Sequence, residues 1–235
     1  QVFDMMTSGD VAAMIAEPIQ GVGGFATPPD GFFGAMKKEL DNRGVLFISD
    51  EVQTGWGRTG ENFWGYQAHG MTPDLLTFAK GVGNGLALGG VVATADLMDS
   101  LPGNSLSTFG GNPMSAVGAL ATIRYMLKHD IQGHALAMGA RLAGHLQPAV
   151  DASPVVAELR GKGLMLAIET VEAGTLEPNT EVARRIMEEA RAAGLLIGKG
   201  GLYGNVLRIA PPMTVTEAEI DEAADVLVRI IEGLG

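Results

Sequence analysis

Short apolar runs bounded by glycine and polar residues dominate the first half of the chain and predict strands of a buried sheet. The clearest are VLFIS at residues 45–49 and LLTFA at residues 75–79, with shorter runs at 11–15 and 89–94. Near-continuous apolar strands of this kind are typical of parallel sheets whose two faces are both covered. The pattern therefore predicts an α/β fold with a mostly parallel sheet and flanking helices.

Segments with apolar residues every three to four positions alternate with these runs and predict amphipathic helices. In the first half they cover residues 30–42, with Asp30 as the N-cap, and 96–100. A third covers residues 113–128, where Asn112 is the expected cap and Pro113 the first helical residue. Such alternation of strands and helices is the signature of βαβ units.

The second half predicts a small α+β domain. Its expected strands are 155–160 and 164–170, paired as a hairpin, followed by 195–198 and 206–209. Helices are expected at 132–147, before a break at 148–154, at 179–193, and from Thr216 onward with a Thr216–Glu219 capping box. We therefore predict two domains, residues 1–130 and 131–235.

The first chemical signal lies at the ends of two predicted strands. Asp50 and Glu51 follow the apolar run that begins at Val45, and Lys80 follows the run that ends at Ala79. Because the carboxyl ends of parallel strands open into the crevice where ligands bind, a carboxylate and an amine are expected to face one pocket. The glycine-rich turn after Lys80 lets the backbone approach a ligand closely.

An aspartate and a lysine in one pocket fit pyridoxal phosphate (PLP), which binds a lysine as a Schiff base and pairs its ring nitrogen with an aspartate. At a separation of about 4 Å and an effective dielectric near 20, such a pair is worth roughly 4 kcal/mol. Spacing alone leaves another interpretation open, in which Asp50 caps a strand end and Lys80 is a solvated surface lysine.

Six segments in order give a more specific signal. They are AEPIQGVGG (16–24), FISDEVQTGWGRTG (47–60), TFAKGVGNG (77–85), STFGGNP (107–113), RGKGLMLAIE (160–169) and LRIAPP (207–212). With them the chain resembles the class III, or ω-type, aminotransferases, PLP enzymes of fold type I, and most closely the alanine–glyoxylate branch that also handles β-amino acids. The resemblance implies the C-terminal part of a PLP-binding large domain, followed by the small C-terminal domain.

The resemblance also implies the residues that bind the cofactor. Lys80 would form the Schiff base and carry the proton from the substrate Cα, and Asp50 would pair with the ring nitrogen. Val52 would pack on the ring face and Gln53 would hydrogen-bond the ring hydroxyl oxygen. Thr108 would reach across a homodimer to the phosphate of the neighbouring subunit's PLP.

Two further residues are implied in substrate binding. Arg208 would hold the substrate carboxylate, and Glu17 would lie near the substrate and pair with that arginine; ordinary surface roles are the alternatives for both. The implied reaction is transamination between an amino acid or ω-amino compound and a 2-oxo acid such as pyruvate or glyoxylate. Trp56 and Arg58 are expected either to line the substrate entrance or to be purely structural.

The start of the chain departs from the family pattern. It opens on Gln1 and enters at once a segment that the family has near its middle, so that the N-terminal half is expected to be lacking. The alternative function is therefore an inactive fragment, or one half of a split aminotransferase that only dimerises or binds PLP weakly.

Composition excludes several classes of partner and site. A net charge of −11 without a basic run argues against nucleic acid. No apolar run approaches the roughly 18 residues of a membrane span. The lack of cysteine excludes disulfides and thiolate metal sites and favours a reducing, cytoplasmic location. The four histidines lack the spacing of metal ligands, so no metal is expected. The glycine–lysine pairs at 198–199 and 161–163 do not complete a P-loop, and in the glycine series 81, 83 and 85 the third glycine comes too early for a dinucleotide-binding loop.

Overall fold

A computed structural model describes residues 5–234, and in this range the chain divides into two compact units. The first unit comprises the chain up to Pro18, Pro28–Trp56 and Trp64–His129. The second comprises Ile19–Thr27, Gly57–Phe63 and the chain from Asp130 onward. The division into domains 1–130 and 131–235 stays a prediction. The two compact units differ from it in two short segments before residue 130, which belong to the second unit.

The first unit contains a four-stranded sheet in the part of the chain described. Its strands, in spatial as well as chain order, are β1 (Ala13–Ala16), β2 (Leu46–Asp50), β3 (Leu75–Phe78) and β4 (Gly90–Ala93). β1, β2 and β3 are parallel and β4 is antiparallel to β3. Among the described residues, the helices of this unit with complete bounds are α1 (Phe32–Asp41), α2 (Ala95–Asp99) and α3 (Pro113–Lys128), with short 3-10 helices at Gly65–His69 and Lys80–Gly83.

Apolar side chains of α1 and β2 form the core of the first unit. Phe33 and Leu40 of α1 are buried against Val45 and Phe47. Full burial of each such side chain contributes about 1.5–3 kcal/mol. The parallel pairing and the helix on the sheet follow from the apolar runs, as predicted.

The predicted cap of α1 is wrong, whereas that of α3 is confirmed. The N-cap of α1 is Gly31, with a φ of 81° and no side-chain cap, so Asp30 lies outside the helix. This left-handed backbone suits glycine, which has no Cβ to clash. At α3, the Asn112 side chain accepts a hydrogen bond from the Ser115 N–H at 3.0 Å, and Pro113 is the first helical residue.

The second unit packs helices on a separate antiparallel sheet. Its strands are β5 (Val156–Lys162), β6 (Met165–Thr170), β7 (Gly198–Gly200) and β8 (Val206–Ile209), in the spatial order β5-β6-β8-β7. Its helices are α4 (Ile131–Ala152), α5 (Thr180–Ala192) and α6 (Glu217–Glu232). The β5–β6 hairpin and the Thr216–Glu219 capping box are confirmed.

The predicted break at 148–154 is wrong, because α4 continues through Pro148 to Ala152. Proline removes one helical hydrogen bond and crowds the carbonyl four residues earlier, which here belongs to Gly144. Leu146, Ala149 and Val150 on either side of the proline are all buried in the core of this unit. Tertiary burial therefore outweighs the local cost of the proline.

The predicted strand 195–198 is also displaced, because β7 begins only at Gly198. The Leu195 N–H donates to the Ala190 carbonyl at 2.8 Å, and Gly194 has a φ of 88°. This is the Schellman arrangement that ends a helix. The end of α5 thus uses the residue that the apolar pattern assigned to a strand.

One glycine of α4 allows the helix to lie directly on the β5–β6 turn. A Cβ on Gly139 would lie 2.2 Å from the carbonyl oxygen of Gly163, which itself has a φ of 54°. Gly144 on the same helix is different, since a Cβ there would meet no heavy atom within 4 Å.

These two glycines make a matched test of the packing. Gly139→Ala is expected to lower the free energy of unfolding by about 1–3 kcal/mol, because the added methyl overlaps backbone that cannot move aside. Gly144→Ala is expected to raise it by roughly 0.5–1 kcal/mol, since alanine is the better helix former. Urea unfolding of both variants checks this, and equal effects would contradict the close approach of α4 to the hairpin.

Candidate active site

The structure brings the ends of β2 and β3 to the same edge of the first sheet. Asp50, the last residue of β2, is in register with Thr77 of β3, and the Glu51 N–H donates to the Thr77 carbonyl at 2.9 Å. Lys80 follows three residues after Thr77, where a 3-10 helix begins. A carboxylate and an amine therefore follow neighbouring parallel strands at their carboxyl ends, where ligands bind in α/β sheets.

Lys80 has an unusual backbone conformation. Its φ is 48°, in the left-handed region that residues with a Cβ seldom adopt. Such a conformation costs of order 1–3 kcal/mol and persists only where the surroundings impose it. Val82, two residues later, is 1% exposed and anchors the turn. Lys80 is exposed, and a Cβ on Gly81 or Gly85 would meet no heavy atom within 4 Å, so there is open space beside these two glycines.

The turn after β2 holds three of the other predicted site residues, each half-buried. The Asp50 Oδ1 accepts a hydrogen bond from the Val52 N–H at 3.1 Å, which fixes the carboxylate to its own turn. The Gln53 Nε2 donates to the Glu17 Oε2 at 3.4 Å. The structure therefore joins Asp50 with Val52 and Gln53 with Glu17.

Glu51 is the residue of this turn for which the sequence analysis predicts no role of its own. Its side chain is fully buried, at 0% exposure. One carboxylate oxygen, Oε1, accepts from the Ser49 hydroxyl at 3.1 Å and the Tyr66 N–H at 2.8 Å. The other, Oε2, accepts from the Thr54 hydroxyl at 2.5 Å and the Gly65 N–H at 2.7 Å. The carboxylate thus ties the turn after β2 to the start of the 3-10 helix at Gly65–His69.

The sequence held a partial signal for Glu51. Successive side chains of an extended strand point to opposite faces, so two adjacent carboxylates at a strand end contact different surroundings. Hydroxyl residues two positions before and three positions after Glu51 are suitable partners for a buried carboxylate. The two backbone donors, in contrast, come from residues 65 and 66 and required the folded chain.

Trp56 and Arg58 have structural surroundings. The Trp56 ring is buried in the first unit, 4.8 Å from the Trp64 ring centroid and 5.3 Å from that of Phe78. In the second unit, the Arg58 Nη1 donates to the carbonyls of Leu164 and Pro211, both at 3.0 Å. Burial lowers the pKa of the Arg58 guanidinium. These contacts favour the structural interpretation of both residues over a role at an entrance.

Thr108 lies in a fully exposed loop of the first unit. Every residue from 101 to 110 is exposed, and the loop contains a turn in which the Gly110 N–H donates to the Ser107 carbonyl at 3.3 Å. The reach of Thr108 to a neighbouring subunit stays a prediction.

Arg208, the predicted carboxylate-binding residue, belongs to β8 of the second unit and is half-buried. Its Nε donates to the Lys199 carbonyl at 3.2 Å and its Nη1 to the Gly21 carbonyl at 3.3 Å. The guanidinium carbon lies 5.6 Å from the centroid of the Phe25 ring. The predicted pairing of Arg208 with Glu17, which belongs to the first unit, stays a prediction.

Phe25 is itself an outlier. Its φ is 53°, a conformation that costs a bulky residue of order 1–3 kcal/mol. The segment is closed by two hydrogen bonds, from the Phe25 N–H to the Gln20 carbonyl at 2.8 Å and from the Gln20 N–H to the Ala26 carbonyl at 3.1 Å. The ring is 2% exposed and packs with Ile19, Met165, Ala167 and Val206.

The side chains at the sheet edge suit PLP by their chemistry. An exposed amine, a carboxylate oriented by its own turn and an amide supply the groups that a lysine-bound pyridine ring requires. The open space around Gly81 and Gly85 leaves room for a ligand beside Lys80. Within residues 5–234, no three His, Cys, Asp or Glu side chains are grouped as a metal site. Across the same residues, every helix is too short or too polar to span a bilayer.

The chain is similar over almost its whole length to one enzyme family. A family model described as aminotransferase class-III matches residues 1–231. The mitochondrial alanine–glyoxylate aminotransferase 2 homolog 2 of Arabidopsis thaliana is 42% identical over 217 residues, covering 92% of this chain and 45% of that protein. The 4-aminobutyrate aminotransferase of Mycobacterium leprae (strain TN) is 38% identical over 223 residues, covering 94% of this chain and 50% of that protein.

A solved structure is similar to the chain over almost its whole length. A phospholyase from Arthrobacter in complex with phosphoethanolamine superposes with a TM-score of 0.91 at 33% identity, covering 96% of this chain and 54% of that chain. The chain thus spans about half the length of the curated relatives it matches.

The hydrogen bonds of Glu51 lead to a prediction about stability. In Glu51→Gln the amide nitrogen must replace either Oε1 or Oε2, and in both positions it faces a backbone N–H that then lacks an acceptor. We expect the free energy of unfolding to fall by about 1–3 kcal/mol, the cost of a buried unsatisfied donor. Glu222→Gln, on an exposed face of α6, is the control and should change it by less than about 0.5 kcal/mol. Chemical denaturation checks this, and equal values for both variants would contradict the structural role of Glu51.

Proposed function

Because the chain belongs to the class III aminotransferases, as its motifs predicted, we propose that Lys80 is the lysine that binds its cofactor. The family depends on PLP and has the α/β architecture of fold type I. The observation that carries the proposal is that Asp50 and Lys80 follow paired parallel strands at one sheet edge. The left-handed backbone of Lys80 supports it further, since strain of this kind clusters at active sites.

Each residue of the sheet edge has a proposed task. PLP, when bound, supplies an electron sink that allows the Cα–H bond of an amino donor to break. The Lys80 amine would hold the cofactor and would serve as the base for the Cα proton of an amino donor. The Asp50 carboxylate, oriented by its hydrogen bond from the Val52 N–H, would keep the ring nitrogen protonated. Val52 would pack on the ring face, and the Gln53 amide would donate to the ring oxygen.

The substrates are proposed at two levels. The relatives are named for alanine, glyoxylate and 4-aminobutyrate, which supports transamination between an amino compound and a 2-oxo acid. For this chain we propose an amino acid or ω-amino donor and pyruvate or glyoxylate as acceptor. Arg208 binds the donor carboxylate because its planar guanidinium matches that group. Glu17 lies near the substrate and pairs with that arginine.

Assembly and location are part of the same proposal. We propose a homodimer in which Thr108 binds the phosphate of the cofactor on the other subunit, a role that its exposed loop supports. A cytoplasmic location is proposed from the lack of cysteine. Because the chain spans about half the length of its relatives, the second candidate is a polypeptide that binds PLP weakly without turnover.

The first test is covalent labelling of Lys80. The purified chain mixed with PLP and reduced with borohydride is expected to carry the pyridoxyl group on Lys80, found by peptide mapping. Lys80→Ala should lose this label and all transamination while its unfolding curve stays that of the parent. Lys38→Ala, an exposed lysine of α1 in the same unit, should keep both. A folded chain with label spread over several lysines would contradict the assignment, and label on Lys80 without turnover would establish the second candidate.

A second test concerns the charge of Asp50. Asp50→Asn removes the negative charge and keeps the shape, so borohydride labelling of Lys80 should persist. The rate of the half-reaction with an amino donor is expected to fall by about a hundredfold or more, since the ring then loses its stabilised charge. Stopped-flow absorbance measures this rate, with Asp99→Asn as an exposed control in the same unit. An unchanged rate would show that Asp50 has only a structural role.

A further inference from the structure

We propose that Phe25 is a positioning residue for Arg208, and thereby sets how strongly the protein favours donors that carry a carboxylate. The inference rests on the proposed role of Arg208, and it adds a residue that none of the motifs contains. Phe25 follows directly after the segment AEPIQGVGG and has no titratable or nucleophilic group of its own. Its contribution is the face of its ring.

The contacts of Arg208 show why the ring matters. The hydrogen bonds from its guanidinium to the carbonyls of Lys199 and Gly21 measure 3.2 and 3.3 Å, both longer than the common value near 2.9 Å. The guanidinium carbon lies 5.6 Å from the Phe25 ring centroid, within the range of about 6 Å over which a cation is attracted to an aromatic face. Two long bonds orient a flexible side chain weakly, so the ring supplies a substantial part of the positioning.

The loop that carries Phe25 is held by hydrogen bonds and close backbone packing within the second unit. The Gly24 carbonyl accepts from the Nε and Nη2 of Arg160, at 2.9 and 2.8 Å. The Gly201 N–H donates to the Val22 carbonyl at 3.0 Å, and a Cβ on Gly24 would lie 3.0 Å from the Cα of Gly201. These contacts explain how a phenylalanine keeps a φ of 53°. The backbone is thus constrained in a conformation that directs the ring to Arg208.

The arrangement leaves part of the guanidinium for a ligand. Within residues 5–234, the Nη2 of Arg208 donates no hydrogen bond, whereas Nε and Nη1 each donate one. A carboxylate can therefore bind at Nη2 while the ring and the two carbonyls hold the other atoms in place. Loss of the ring should weaken the binding of carboxylates and leave ligands without a carboxylate unaffected.

The test compares two donors of nearly the same shape, alanine and isopropylamine, in which a methyl group replaces the carboxylate. In Phe25→Leu the KM for alanine is expected to rise about three- to tenfold, the range of a partly desolvated cation–π contact, with kcat unchanged. The KM for isopropylamine should stay constant. Propionate supplies a readout that needs no turnover, and its dissociation constant, followed by NMR of the arginine side-chain nitrogens, should rise by the same factor.

Three further variants separate the possible outcomes. Phe33→Leu makes the same change in the buried core of the first unit and should leave both donors and propionate unaffected. Phe25→Met replaces Phe25→Leu if the latter does not fold, and the same rise is expected. Arg208→Leu should abolish propionate binding.

The results then distinguish the two proposals. In the first case Arg208→Leu abolishes propionate binding, but Phe25→Leu and Phe25→Met leave the propionate dissociation constant unchanged or raise the KM for alanine and isopropylamine alike. The inference about Phe25 is then wrong and the proposed function stands. If Arg208→Leu has no effect, the role of Arg208 fails and the inference falls with it. Labelling of Lys80 by borohydride is expected to be the same in all these variants, and its absence in the parent chain would instead overturn the cofactor assignment.

Discussion

The buried carboxylate of Glu51 is the constraint on which the candidate site depends. Burying a charge without compensation costs several kcal/mol, so each of its oxygens must find donors. Two hydroxyls and two backbone N–H groups supply them, and the pair of N–H groups belongs to the first residues of the 3-10 helix at Gly65–His69. The Glu51 carboxylate is therefore fully hydrogen-bonded only when the turn after β2 and the segment that begins at Gly65 are folded together. The positions of Asp50 and Gln53 follow from that turn.

Asp50 and Glu51 divide two tasks that a single carboxylate could not perform. The Glu51 carboxylate accepts four hydrogen bonds from other groups of the protein. Asp50 accepts one hydrogen bond from its own turn and is half-buried. Alternation along the extended strand separates the two side chains at no cost. Lys80 completes the edge from β3, where the backbone rather than the side chain is constrained. The site thus combines a hydrogen-bonded turn after β2 with an exposed lysine.

Local signals explain which parts of the fold the sequence could predict. The apolar runs of β2 and β3, the Asn112 cap with Pro113, and the Thr216–Glu219 capping box all depend on neighbouring residues, and the structure confirms each of them. The failures depend on distant ones. Pro148 is helical because Leu146 and Val150 are buried in the second unit. The strand expected at 195–198 begins later because the Leu195 N–H donates to the Ala190 carbonyl at the end of α5. For the same reason the motifs indicated Asp50 and Lys80 but not the backbone partners of Glu51 or the ring that faces Arg208.

Backbone strain adds a signal that the motifs do not contain. Among residues 5–234, the residues other than glycine with positive φ are Phe25, Trp56, Lys80, Asn84 and Asp130. Asparagine and aspartate tolerate this conformation, so Asn84 and Asp130 need no special account. For Phe25, Trp56 and Lys80 the conformation is strained, and each of them lies within or directly beside one of the six family segments. Since each costs of order 1–3 kcal/mol in a fold of marginal stability, their surroundings must impose them. Two of these positions carry the aromatic ring against Arg208 and the candidate cofactor lysine, where side-chain direction matters for the proposed chemistry. At the third, the strain directs the buried Trp56 ring against Phe78.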